Sequence, residues 1–226
     1  MKLRQCLMEI FQRLFDFYGP QNWWPGDSPL EISIGAILTQ NTNWRNVESA
    51  LDNLKQRDLL EINKLAEIDE LELARLIRPA GYFNIKAKRV KSFVLWLKEM
   101  GGFDRLEKID TGRLRDMLLQ VPGIGYETAD SILLYALERP VFVVDAYTRR
   151  VLERHGITNA TKMGYEHLRS LFESNLPKDV RLFNEFHALF VRVGKERCHK
   201  KSPKCEGCPI AGVECHEVQV DTVRER

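Results

Sequence analysis

Apolar residues recur at helical spacing along most of this chain. Leu3, Leu7, Ile10, Phe11 and Leu14 share one face of a helix, and Tyr18-Gly19-Pro20 ends it, because glycine and proline do not continue a helix. A second helix is announced by Ser28-Pro29-Leu30-Glu31: the serine caps, the proline suits the first helical position, and Glu31 sits where a capping box places its acid. Leu30, Ile34, Ile37 and Leu38 supply its buried stripe. Comparable stripes over residues 47–54, 70–77, 87–97, 111–119, 128–137 and 180–193 predict further helices. Only Val141-Phe142-Val143-Val144 has β-branched strand character, and with no second run to pair with it is expected to be an extended connector. The predicted fold class is all-α. The polar residues after Cys215 are expected to fray.

With 226 residues, 44% of them hydrophobic, the chain can bury one large core or two smaller ones. Its apolar stretches fall far short of the roughly 20 residues that cross a bilayer. The start, Met1-Lys2-Leu3-Arg4-Gln5-Cys6, lacks the apolar run and cleavage site of a secretory signal, so cytoplasmic residence without a membrane role is expected. A net charge of +2 neither demands nor excludes a nucleic-acid partner, which leaves the decision to local clusters. One lies at Lys86, Lys88, Arg89 and Lys91, another at Lys195, Arg197, Lys200, Lys201 and Lys204. Either alone reads as a solvated face.

The candidate chemistry begins at a turn. The helix over 111–119 runs into Val121-Pro122-Gly123-Ile124-Gly125 and then into another helix, giving a helix, a glycine turn and a helix. Two glycines around an apolar residue let the backbone turn sharply and present amide N–H groups at a helix start, where an anion such as phosphate is favoured. Ile124 is expected to point inward and lock the turn. An ordinary helical hairpin remains open on these residues alone. About twenty residues on, Asp145 stands where the extended run enters a helix, either as a capping residue or as a carboxylate with a chemical task. Near the C-terminus Cys198, Cys205, Cys208 and Cys215 are spaced C-x6-C-x2-C-x6-C, with Cys6 far away in its helix. Four thiolates in so short a loop suit a metal site, either zinc or an iron–sulfur cluster, better than disulfides in a reducing compartment.

The run from Leu119 to Ala129 followed by Val143-Val144-Asp145 resembles the helix-hairpin-helix, Gly/Pro-rich loop and Asp signature of the endonuclease III superfamily of DNA glycosylases, and the similarity spans nearly the whole chain. That resemblance implies two helical domains, 29–143 and 1–28 plus 144–226, with a DNA-binding cleft between them and a C-terminal iron–sulfur loop. It favours [4Fe–4S] over zinc on Cys198, Cys205, Cys208 and Cys215, although this chain has one residue more before the last cysteine. It also implies a monomer bound to double-stranded DNA containing a damaged base. Gly123, Ile124, Gly125, Lys86, Lys88, Lys200, Lys201 and Lys204 are then expected on the DNA backbone, Gln40 as a wedge in the space left by the flipped nucleotide, and Cys6 as a packed helix residue.

Bifunctional members of the family carry a lysine two residues after the second glycine of the hairpin, which attacks the sugar and forms an imine. Glu127 stands there in this chain, and a carboxylate cannot form one. Asp145 is left as the catalytic residue of a monofunctional enzyme that uses water. By itself Glu127 reads as a solvated helix residue; the resemblance places it at the base pocket. Trp23-Trp24-Pro25 and Leu38-Thr39-Gln40-Asn41-Thr42-Asn43-Trp44 are similar to the 3-methyladenine branch, which assigns Trp24, Pro25 and Trp44 to the base pocket. Indole faces attract a cationic alkylated purine by roughly 0.5–2 kcal/mol. A thymine or uracil mismatch glycosylase, a bifunctional glycosylase/lyase and a noncatalytic DNA-binding module are the competing expectations.

Overall fold

The structure is a computed structural model that describes residues 2–157 and 159–215. The tail after Cys215, expected to fray, lies outside the described residues. Twelve α-helices and no strand occur among the described residues, in agreement with the all-α expectation. No helix among them is long and apolar enough to cross a membrane. The chain divides into two compact units, a central one, Trp24–Arg139, and a second one made of Met1–Trp23 and Pro140–Arg226.

The central unit carries α2 to α9, after α1 (Leu3–Tyr18) of the other unit. α2 (Pro29–Leu38) is nearly all apolar and almost wholly buried, so the rest of the unit is wrapped around it. Its entry follows the sequence: Pro29 opens the helix and Ser28 Oγ accepts from the Glu31 amide at 3.2 Å. The Glu31 carboxylate departs from the capping box, accepting from the Asp27 amide and pairing with Lys55 at 2.7 Å. α3 (Trp44–Gln56), α4 (Ile62–Glu67), α5 (Glu70–Leu76) and α6 (Phe83–Glu99) follow, then α7 (Phe103–Leu106), α8 (Thr111–Leu119) and α9 (Tyr126–Ser131). Leu30, Ile34 and Ile37 of α2, Val47 and Leu51 of α3, and Val90, Phe93 and Leu97 of α6 form the core. α9 does not continue as the regular helix that its apolar spacing predicts. Over Ile132–Ala136 it widens into a π-helical turn, which shifts the register of Tyr135.

The second unit holds α1, α10 (Ala146–Arg154), α11 (Tyr165–Asn175) and α12 (Val180–Glu196) around a phenylalanine core. Phe142 stacks on Phe172 with centroids 3.7 Å apart, and Phe186 stacks on Phe190 at 4.7 Å. Residues 141–144 are extended and buried without being a strand, as expected. Side chains of α11 take the place of a neighbouring strand: Glu173 accepts from the Phe142 amide at 3.0 Å, and the Tyr165 hydroxyl lies 3.3 Å from the Val144 amide, which donates to it. This connector delivers Asp145 to the first turn of α10.

Candidate active site

The turn after α8 is built as a hairpin whose two helices are tied to each other. Asp110 caps α8 through the amides of Gly112 and Arg113. Arg115 of α8 donates to both oxygens of the fully buried Asp130 of α9, at 2.6 and 3.0 Å. Ile124 points inward and is 5% exposed, as its place between two glycines implies. Gly123 has φ +89°, and a Cβ there would stand 2.2 Å from Arg89 Cγ, so only glycine fits. Nothing lies within 4 Å of where a Cβ would stand on Gly125, and no side chain caps α9. The backbone at Gly125, where α9 begins, is therefore open on its Cβ side. Ile124 is corrected as a member of the set expected on the DNA backbone, because its amide donates to Val121 O at 3.0 Å within the turn.

Gln40 does not project as a wedge. Its Nε2 donates to Gly123 O at 3.2 Å and to Thr128 Oγ1 at 2.8 Å, while its Oε1 accepts from Arg89. The residue braces the hairpin from the end of α2. The basic cluster on α6 is mostly internal as well. Lys86, expected on phosphate, is 1% exposed and donates to Leu38 O and Ala80 O, each at 2.8 Å. Burial, aided by the charge of Arg89, pushes its ammonium down to about 8. A side chain enclosed in this way cannot reach DNA, and its task is to hold the two carbonyl-bearing turns together. Lys91 caps the end of α4 through Leu65 O, Ala66 O and Ile68 O. Lys88, Lys200, Lys201 and Lys204 are exposed and remain available to phosphate, and Glu127 is exposed on the first turn of α9.

The central unit gathers an aromatic group. Trp24 meets Trp44 edge to face with centroids 5.2 Å apart, and Tyr135 lies 5.2 Å from Trp24 on the other side. Trp24 lies across Gly35 of α2, where a Cβ would be 3.2 Å from its Nε1. Pro25 and Trp44 line a cavity of about 420 Å³, whose wall also carries four carboxylates, Asp27, Glu31, Glu48 and Asp52, against Arg45 and Lys55. Sequence reasoning missed Tyr135, since helical periodicity carries no sign of the π turn that directs it.

In the second unit Asp145 caps α10. Its Oδ1 accepts from the Thr148 amide at 2.7 Å and from the Thr148 hydroxyl at 2.9 Å. Its Oδ2 lies 3.8 Å from Nε2 of the buried His187, whose imidazole is pushed down by burial against the opposing pull of Asp145. One oxygen of Asp145 thus fixes the helix start, and the other faces His187.

The cysteine loop differs from expectation. Cys215 is bonded to Cys6 of α1, so Cys6 is more than a packed helix residue. The Cys215 backbone is anchored beside α10, its amide donating to His155 O at 2.7 Å and its carbonyl occupying the space next to Gly156. Cys198 is buried and accepts from Arg154, Cys208 is half-buried with its thiol pushed up first by burial, and Cys205 is exposed. Among the described residues no group of three or more His, Cys, Asp or Glu is arranged to hold a metal ion. With its fourth thiol committed elsewhere, the expected set of Cys198, Cys205, Cys208 and Cys215 does not fit a four-thiolate cluster or zinc site.

A family model described as HhH-GPD superfamily base excision DNA repair protein matches residues 34–178, a span that contains the hairpin, the aromatic group's α3 and π-turn members, and Asp145. The chain belongs to the HhH-GPD superfamily. This HhH-GPD protein is 49% identical over 209 residues to a protein of Methanocaldococcus jannaschii provisionally named a DNA repair glycosylase, covering 91% of this chain and 94% of the relative. It is 27% identical over 178 residues to an endonuclease III of Sulfolobus acidocaldarius, covering 78% and 77% respectively. Among solved structures it matches H. pylori 3-methyladenine DNA glycosylase (MagIII) bound to 1,N6-ethenoadenine. The TM-score is 0.71 at 28% identity, over 87% of this chain and 98% of that one. The chain is thus a DNA glycosylase of base excision repair, with DNA as its partner.

Proposed function

We propose that this HhH-GPD glycosylase is monofunctional and excises alkylated purines such as 3-methyladenine, leaving an abasic site. The observation that carries the reading is the aromatic group of Trp24, Trp44 and Tyr135, beside a cavity in which carboxylates outnumber cations. Its volume suits a small ligand. Alkylation at N3 makes adenine cationic. Indole faces and a net acidic wall then favour the damaged base over its neutral parent.

Glu127 stands where a lysine nucleophile would be needed, and it offers no amine for an imine. The reaction assigned to Asp145 is hydrolysis. The bond from C1′ to the base breaks, its electron pair leaves with the base, and the cationic base departs neutral. The Asp145 carboxylate stabilises the positive sugar and orients the water that adds to C1′, which then loses a proton. A cationic leaving group needs no acid catalyst, so one carboxylate suffices. The start of α9 after Gly123 and Gly125, with exposed Lys88, Lys200, Lys201 and Lys204, is assigned to phosphates, contacts that fix position without reading sequence.

The test is incubation of the protein with methylated duplex DNA, identification of the released bases, and borohydride trapping. Release of 3-methyladenine with no trapped adduct is expected. Release of thymine or uracil from mismatched duplexes in its place, or a trapped covalent species, overturns the reading.

A further inference from the structure

Asp145 is gripped on one side only by its own helix. Thr148 donates twice to Oδ1, whereas Oδ2 faces Nε2 of His187, contributed by α12, at 3.8 Å. The approach of α12 to α10 is set by packing. The ring of Tyr147 occupies the space beside Gly194, where a Cβ would be 2.4 Å from it. Arg150 ties the same helices through Gly194 O at 3.1 Å and Cys198 O at 2.7 Å. His187 is 5% exposed and held in that packing.

We propose that His187 is a positioning residue for base excision: its Nε2–H holds Oδ2 of Asp145 and so fixes the plane of the carboxylate presented to the sugar. The inference rests on the reading of Asp145 as the catalytic carboxylate. A carboxylate held at one oxygen keeps a broad torsion about its terminal bond, and a donor at the second oxygen removes that freedom. The observed gap is longer than a hydrogen bond, and the proposal requires it to close when substrate is bound, as catalytic hydrogen bonds often do. Burial disfavours the charged imidazole, against the opposing pull of Asp145. A neutral donor orients Oδ2 without cancelling the charge that must face the developing cation at C1′, which an arginine or lysine in the same place would do.

The test compares His187→Leu, His187→Gln and Asp145→Asn for single-turnover base release, duplex affinity and melting temperature, on whichever modified duplex the wild type processes. His187→Leu is expected to slow release by about tenfold to a hundredfold, with affinity for the duplex unchanged. His187→Gln, whose amide also donates, is expected to recover most of the rate. Should the leucine variant not fold, His187→Met replaces it in the same comparison. Wild-type release by the leucine variant while Asp145→Asn is inactive overturns the positioning role alone. Equal loss of rate in the glutamine and leucine variants, in step with a lowered melting temperature, reduces His187 to packing and overturns it as well. Wild-type release by Asp145→Asn instead overturns the underlying reading of Asp145.

Discussion

A buried histidine beside a capping aspartate has a consequence for stability that is separable from its part in excision. The folded protein holds His187 below its ordinary value of 6.5, chiefly through burial, while the unfolded chain titrates near that value. Below pH 6.5 the unfolded state therefore binds a proton that the folded state refuses, and stability falls as pH falls. Above that pH neither state binds the proton and the effect vanishes. Wild-type protein is thus expected to lose stability relative to His187→Gln on acidification from about pH 7 to 5, measured by denaturant unfolding at each pH. Parallel curves for the two proteins sink this account. The residue scale also shows what sequence conveys and what it withholds. Asp145 was legible because its position between an extended run and a helix is written in neighbouring residues. His187 sits in an apolar stripe of α12, and nothing local says which side chain of another helix it faces. Lys86 was misread for the converse reason: four basic residues on one helix look like a surface, and only the fold reveals that the carbonyl of the distant Leu38, with that of nearby Ala80, lies over one of them.

At the scale of elements, the hairpin was readable because Gly123 and Gly125 state their own reason for being glycine, whereas Arg89, the side chain packed against Gly123, has no local marker. That packing makes a testable coupling. Gly123→Ala must relieve both a positive φ and a clash with Arg89, so a loss above about 1 kcal/mol is expected. Adding Arg89→Ala removes the clash and leaves the backbone strain, so the double variant is expected to be more stable than the sum of the two single changes. Thermal or denaturant unfolding of the four proteins in the cycle decides it. The C-terminal loop supplies the opposite lesson. Its spacing was legible, but the partner of Cys215 lies 209 residues earlier, beyond any local pattern. Reduction of the Cys6–Cys215 bond, or Cys6→Ser, is expected to lower stability by about 2–4 kcal/mol. Bound iron or zinc is expected to be substoichiometric while the bond is intact, because only the reduced chain offers all four thiols of the C-terminal loop. Elemental analysis beside non-reducing mass spectrometry checks this, and stoichiometric iron in protein that retains the bond overturns it.

For the whole molecule, a formal charge of +2 provides no general positive field, so affinity for DNA depends on where charge is placed. The exposed lysines belong to both units: Lys88 to the central one, and Lys200, Lys201 and Lys204 to the other. Lysine contacts to phosphate release counterions, and each lowers the slope of log affinity against log salt by about 0.9. The amide contacts proposed at the start of α9 carry no cation, so they would displace fewer ions and leave a weaker salt signature. Lys88→Gln is therefore expected to make the slope shallower by about 0.9, and Lys200→Gln with Lys201→Gln by about twice that. The two effects should add in the triple variant, because the lysines share no partner. Titrations of a labelled duplex at several salt concentrations measure this directly. If the central unit alone grips the duplex, only Lys88→Gln will move the slope. If Lys86→Gln moves it as well, the enclosure of that side chain is wrong, and with it the distinction between lysines that hold the fold and lysines that hold DNA.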